Sequence, residues 1–121
     1  MNTGRKRKTT QAQFRAFCAE CLRLQSKFGL TEWKLYFLHE PLDGNFAEIH
    51  TDHDGMVATL KITSEMDRDD YPMFDPREHA MHEMCHLLSG ELHATGSMRW
   101  GAQREIDEAW ERLTRRLEKL L

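Results

Sequence analysis

Apolar side chains recur at helical spacing in three stretches of the chain, and strand-forming sequence lies between the first and the second. The helical stretches are residues 10–28, residues 76–89, and the segment from residue 102 to the C-terminus. The predicted strands are residues 33–39, 46–51 and 57–63. Asp54-Gly55 suits a tight turn that closes the last two strands into an antiparallel hairpin. This order predicts an α+β fold with an N-terminal helix, a small antiparallel sheet of about three strands, a central helix and a long C-terminal helix.

The central helix has recognisable signals at both ends. Asp75 offers a side-chain oxygen at the N-cap, and Pro76 occupies the first helical position, where a missing N–H leaves no hydrogen bond unmade. Gly90 is a natural stop. The helix is therefore predicted to cover residues 76–89, with residues 82–86 in its C-terminal half.

Those five residues read His-Glu-Met-Cys-His, an H-E-x-x-H motif. Residues four apart lie one above the other on a helix, so His82 and His86 present both imidazoles to the same side and can share one cation. Glu83 follows His82 directly, which places a carboxylate close to a metal-bound water without making it a ligand. The motif predicts a catalytic metal site.

A catalytic zinc site needs a third protein ligand. His93 comes seven residues after His86, one residue too late for the metzincin pattern. Glu105 and Glu108 lie on the C-terminal helix, where Glu105 borders the apolar stripe and Glu108 falls nearly opposite to it. A ligand must lie on or beside the core face, so Glu105 is the predicted third ligand and Glu108 the alternative.

This chain resembles the gluzincin metallopeptidases, because the motif is followed after eighteen residues by Glu105 on the next helix. It also resembles the short metallopeptidases of bacteriophages and prophages, relatives of SprT-like and other minimal zincins. The segments that carry this second resemblance are residues 28–33, 58–62 and 105–113. The resemblance implies a minimal zincin-like fold, one zinc ion and a peptide or protein substrate.

A zincin of this kind hydrolyses peptide bonds with metal-activated water, and Glu83 would be the general base. It commonly adds a His, Tyr or Arg side chain that stabilises the transition state. The sequence does not choose among the available residues, which are His79, His93, Tyr71 and Arg99. The strand at residues 57–63 is the predicted edge on which an extended peptide would bind.

The N-terminus carries the basic run Arg5, Lys6, Arg7 and Lys8. The run contributes four of the 17 basic residues, which leaves 13 against 20 acidic residues in the remainder. Residues 1–9 are predicted to be a disordered, solvated arm, with weak nucleic-acid contact as the alternative. Residues 10–121 are predicted to form one domain, a length that can bury a core without disulfides.

The remaining features favour a reducing compartment. Three cysteines are an odd number, and the Cys18 and Cys21 pair lacks the second pair of a zinc knuckle, so free thiols are predicted. No apolar run is long enough for a membrane span, and we expect a cytoplasmic protein, in a bacterium or a phage-infected host. The rival function is a non-catalytic zinc-binding phage regulatory or interaction protein, which has no need of Glu83 as a base. Oligomeric state is not predicted.

Overall fold

A computed structural model describes residues 5–99 and 103–120 of the chain, with side-chain surroundings for residues 5–90 and 103–119. Its elements, in chain order, are β1 (Lys6–Lys8), α1 (Gln11–Lys27), β2 (Lys34–Glu40), β3 (Ala47–Asp52), β4 (Val57–Thr63), β5 (Glu65–Asp67), α2 (Pro76–Arg99) and α3 (Gln103–Leu120). A single 3-10 turn, Tyr71–Met73, precedes α2. The α+β class predicted from the sequence is confirmed.

Helix α1 forms where its apolar spacing predicts it. The Thr10 hydroxyl accepts the N–H of Gln13 at 3.0 Å, and the Gln13 side chain accepts the N–H of Thr10 at 2.8 Å, which completes a capping box. The inner face buries Phe17, Cys21 and Leu24 completely. This face supplies one side of the hydrophobic core.

The sheet has the strand order β2-β4-β3 and is mixed. Strand β3 pairs with β4 in antiparallel orientation, as the hairpin prediction requires, whereas β2 pairs with β4 in parallel orientation. The fully antiparallel sheet predicted from the sequence is therefore wrong. Strand β4 is the central strand, and its inward-facing side chains are the most buried of the sheet. Ala58, Leu60 and Ile62 are at most 1% exposed, as expected for a strand that has a neighbouring strand on each edge.

The central place of β4 also corrects the predicted substrate edge. Residues 57–63 are hydrogen-bonded to a strand on each side, so they have no free edge. Within the described residues, the outer strands of this sheet are β2 and β3, and α2 packs mainly against β3. The edge beside the H-E-x-x-H helix therefore belongs to β3.

The basic run is part of the fold rather than a free arm. Strand β1 pairs antiparallel with β5, with Lys6 opposite Asp67 and Lys8 opposite Glu65. The following residue, Thr9, is only 8% exposed, and its hydroxyl donates to the Thr63 carbonyl at 2.7 Å. The predicted disorder of residues 1–9 is thus wrong for residues 6–9, because backbone and hydroxyl hydrogen bonds tie them to β5 and to the end of β4. Residues 1–4 lie outside the described residues.

Helix α2 begins as predicted but runs past its predicted end. The Asp75 carboxylate accepts the N–H of Arg77 at 3.0 Å, while Gly90 lies inside the helix. A Cβ at Gly90 would lie 3.0 Å from Cε1 of His53. This glycine therefore allows the β3–β4 turn to approach α2 closely, and it does not act as a C-cap.

Helix α2 is packed between α1 and α3. The side of α2 that faces the core contributes Ala80 and Met84, and Thr114 at the centre of α3 is fully buried. The cysteines are free thiols, as predicted, and burial raises the pKa of Cys85 to about 11. None of the described helices has the length and apolar character needed to cross a membrane.

Candidate metal centre

The H-E-x-x-H motif lies on one face of α2, and its two histidines converge. Nε2 of His82 and Nε2 of His86 are 3.2 Å apart, and the two ring planes are nearly perpendicular at 84°. Their side chains are 29% and 11% exposed, respectively. The spacing of four residues therefore produces the shared site that it predicts.

Glu111 of α3 supplies the carboxylate. Its Oε1 is 3.3 Å from Nε2 of His82, and its Oε2 is 3.3 Å from Nε2 of His86. Two ligand atoms bound at about 2.0–2.1 Å to one tetrahedral ion lie about 3.3 Å apart. The three residues could therefore hold a metal ion between them.

The other ring nitrogens are held by α3. Nδ1 of His82 donates to Oε1 of Glu118 at 2.6 Å, and Nδ1 of His86 lies 3.3 Å from Oγ1 of Thr114. The Thr114 hydroxyl donates to the Trp110 carbonyl at 2.9 Å, so toward His86 it acts as an acceptor. Both Nδ1 atoms then carry the proton in the neutral rings, and both Nε2 lone pairs point at each other and at Glu111. Three acceptors that face one another need either a shared proton or a metal ion between them.

A second set of contacts fixes α3 against α2 behind the site. The Trp110 indole N–H donates to Oγ of Ser89 at 2.5 Å, and Ser89 donates to the Cys85 carbonyl at 2.9 Å. The Trp110 ring packs edge-on against His86, with 4.7 Å between ring centroids. These contacts set the rotation of α3 and hence which of its carboxylates reaches the histidines.

Glu83 is buried, at 7% exposure, and lies outside the three-residue cluster. The pKa of its carboxyl is raised to about 7, chiefly by burial and also by nearby Glu111 and Glu118, against the opposing effect of His82. Burial also lowers the pKa of His86. A carboxyl with a pKa near neutrality can both accept and release a proton, as a general base requires.

The predicted third ligand, Glu105, needs correction. At 100° per residue, Glu105 lies about 180° around α3 from the buried Thr114, and Glu108 about 120°, whereas Glu111 lies about 60° away. Glu105 and Glu108 are both exposed, and Glu108 pairs instead with Arg104 at 3.1 Å. The apolar stripe predicted the wrong glutamate because the face of α3 that packs against α2 is centred on a buried polar residue, Thr114.

The predicted transition-state residues are not brought to the cluster among the described side chains. His79 packs against Phe46 and Phe74, with ring centroids 5.4 and 5.5 Å away, and burial lowers its pKa. Tyr71 carries the Arg7 guanidinium 3.8 Å above its ring. The side chains of His93 and Arg99 lie outside the described residues.

Sequence reasoning missed Glu111, Glu118 and Thr114. Glu111 and Glu118 are seven residues apart, which places them on the same face of a helix, and Thr114 lies between them. A search for two carboxylates at heptad spacing around a small polar residue would have found this face. Comparison of the chain with protein-family profiles, with curated proteins and with solved structures finds no match.

Proposed function

We propose that the protein is a zinc-dependent metallopeptidase in which His82, His86 and Glu111 hold the ion and Glu83 is the general base. The observation that carries the proposal is the set of donor-to-donor distances, 3.2, 3.3 and 3.3 Å, made by two imidazole nitrogens and one carboxylate. The two 3.3 Å distances end at different oxygens of Glu111, and the three side chains are close enough together to surround one small ion.

The ligand set favours a catalytic site over a structural one. Catalytic zinc sites use three protein ligands and keep one position open, whereas structural sites are closed by four. Three potential ligands lie together among the described residues, and the Glu111 side chain is 38% exposed, so solvent reaches this side. When bound there, zinc would make a water molecule acidic enough to attack a carbonyl near neutral pH.

Glu83 then has a defined task. Its buried carboxylate takes a proton from the attacking water and delivers it to the amine that leaves when the peptide bond breaks. Glu118 and Thr114 hold His82 and His86 in the tautomers that leave Nε2 free to bind the metal.

The free edge of β3 is the place where this function would bind an extended peptide. Strand β3 is paired only with β4 among the described strands, and it lies beside α2. An extended peptide can add to such an edge through main-chain hydrogen bonds. Phe46, just before β3, packs with Phe74 and His79 and provides an aromatic wall at the start of this strand.

Metal analysis of three purified proteins tests the site. We expect about one zinc per chain in the wild type, loss of stoichiometric zinc in Glu111→Ala, and retention in the matched variant Glu108→Ala. Full retention in Glu111→Ala would remove Glu111 from the ligand set. Iron in place of zinc would move the proposal to another chemistry, because two histidines and a carboxylate also bind Fe(II).

Glu83→Gln separates a peptidase from a protein that only binds metal. The variant should keep its zinc and its fold, because Glu83 is not a ligand, and should lose at least about 100-fold in peptide cleavage. Cleavage of an unstructured protein such as casein, stopped by chelation, is the readout. Equal cleavage by Glu83→Gln and wild type would rule out the mechanism. Firm zinc binding without cleavage would favour the non-catalytic function.

A further inference from the structure

A second concentration of charge lies on the β1–β5 ribbon and plays no part in the metal centre. Four cationic side chains line a concavity of about 430 Å³: Lys6, Arg7, Lys8 and Arg68. All four residues are exposed, and within the part of the chain that the structure describes no carboxylate lines this concavity. The rest of the chain is acidic, with 13 other basic residues against 20 acidic ones, so this positive region is local.

The backbone that carries these cations, and the guanidinium of Arg7, are held in place before any ligand arrives. Pairing of β1 with β5 fixes the backbone of Lys6–Lys8, and the N–H of Arg68 donates to the Arg5 carbonyl at 2.7 Å. The Arg7 guanidinium lies 3.8 Å from the centre of the Tyr71 ring. Such preorganisation lowers the entropy lost on binding, in contrast to a flexible basic tail.

None of these four cations forms an ion pair among the described residues, while the acidic residues Glu65, Asp67, Asp69 and Asp70 lie on β5 or directly after it. Asp67 and Glu65 lie opposite Lys6 and Lys8 in the strand register, yet no ion pair forms across the ribbon among the described residues. Binding an anion here therefore breaks no existing salt bridge. This favours a polyanionic ligand.

We propose that this site, which we call the basic ribbon, binds the phosphate backbone of a nucleic acid. Lys6 and Lys8 are two residues apart on β1 and therefore share one face, about 6.6–6.8 Å from each other, a spacing that matches successive phosphates of a chain better than a single phosphate group. The planar guanidinium of Arg7 suits phosphate oxygens. Among the described residues no apolar side chain lines the concavity, so they give no support for insertion into a lipid bilayer.

Fluorescence anisotropy with labelled oligothymidylate and with a labelled duplex at low salt tests the basic ribbon. The test variant is Lys6→Gln, Lys8→Gln, Arg68→Gln, which keeps the Arg7 contact with Tyr71. The control variant is Lys27→Gln, Lys34→Gln, Arg15→Gln, which removes the same charge from other exposed positions. Thermal melting of both variants shows whether the fold is kept.

We expect the test variant to bind about tenfold or more weakly than wild type, while the control stays within about twofold. Three lost phosphate contacts should also reduce the slope of log affinity against log salt by about two for the single strand. Preference for oligothymidylate or for the duplex identifies the form of nucleic acid. If both variants lost the same amount of oligonucleotide affinity, the basic ribbon would not be the binding site. If the wild type bound phosphatidylserine vesicles but neither oligonucleotide, the ligand would not be a nucleic acid.

Discussion

The two histidines of the candidate metal centre differ in the group that holds Nδ1. A carboxylate, Glu118, holds His82 at 2.6 Å, whereas a hydroxyl, Thr114, holds His86 at 3.3 Å. An anionic acceptor makes the opposite nitrogen more basic, and such outer contacts orient the ligand as well. His82 should therefore be the stronger of the two imidazole ligands, and its strength should depend on a residue that does not touch the metal.

Substitution of Glu118 tests this dependence. We expect Glu118→Ala to weaken zinc binding by about 10- to 100-fold, measured by competition with a chromophoric chelator. Glu118→Gln should lose less, because the amide oxygen still accepts the Nδ1 proton but carries no charge. Glu105→Ala is the control, since Glu105 is an exposed residue of the same helix. Unchanged affinity in Glu118→Ala would mean that the contact with His82 does not support the metal.

At this scale the sequence predicts what is local and misses what depends on packing. His82, Glu83 and His86 belong to one helix, so their arrangement follows from helix geometry alone. Glu111 reaches them only because Trp110 and Thr114 turn α3 in a particular way. That rotation depends on contacts between two helices, which neither an apolar stripe nor a motif specifies.

Among the elements, the hairpin could be predicted from local sequence, whereas the order of strands in the sheet could not. Strands β3 and β4 are joined by a short turn, and their antiparallel pairing was predicted from Asp54-Gly55. The parallel pairing of β2 with β4 joins residues 23 apart, such as Leu35 and Ala58, and no local pattern encodes it. Which strand offers a free edge could not be known before that pairing.

The end of α2 was mispredicted because glycine has two uses in helices. From local sequence Gly90 resembles a C-cap residue, but the structure has it inside α2, where the absence of a Cβ makes room for the His53 side chain. His53 is itself packed edge-on against Trp33, with ring centroids 5.3 Å apart, so it has little freedom to move away. The turn between β3 and β4 is thereby seated on α2.

A double-mutant cycle tests this use of Gly90. In a helix interior, Gly→Ala ordinarily stabilises by about 0.5–1 kcal/mol. We expect that gain for Gly90→Ala when His53→Ala has removed the imidazole, and a smaller gain or a loss when His53 is present. Urea unfolding of the wild type, the two single variants and the double variant gives the coupling. The same effect of Gly90→Ala in both backgrounds would restore a purely local role for this glycine.

On the scale of the whole molecule, the candidate metal centre lies between two helices, α2 and α3, and its effect on their association depends on whether a metal ion is bound. Without a cation, two Nε2 lone pairs and the Glu111 carboxylate face one another between α2 and α3. A bound ion would turn this repulsion into a link between the helices. Metal binding should therefore stabilise the entire fold, since the unfolded chain has no such site.

The pH dependence of that stabilisation follows from two buried groups. Burial lowers the pKa of His86 below its usual 6.5, so the unfolded chain takes up this proton first and the contribution to stability is lost as the pH falls below about 6.5. Burial raises the pKa of Glu83 to about 7 from 4.5, so in the metal-free protein its contribution is lost as the pH rises through that window. A nearby cation favours ionised Glu83 and therefore offsets the second loss.

We therefore expect the gain in melting temperature on adding zinc to be largest at about pH 7–8 and to shrink toward pH 5, where protons compete for the imidazoles. At a zinc concentration about 100 times the Kd, the stabilisation is about 2.7 kcal/mol, or roughly 10 °C for a domain of this size. Differential scanning fluorimetry with zinc or with EDTA across this pH range measures the gain. His82→Ala is the control, because it removes one ligand and should show no zinc-dependent shift at any pH. A gain that grows toward pH 5, or one that persists in His82→Ala, would place the stabilising ion somewhere other than the cluster of His82, His86 and Glu111.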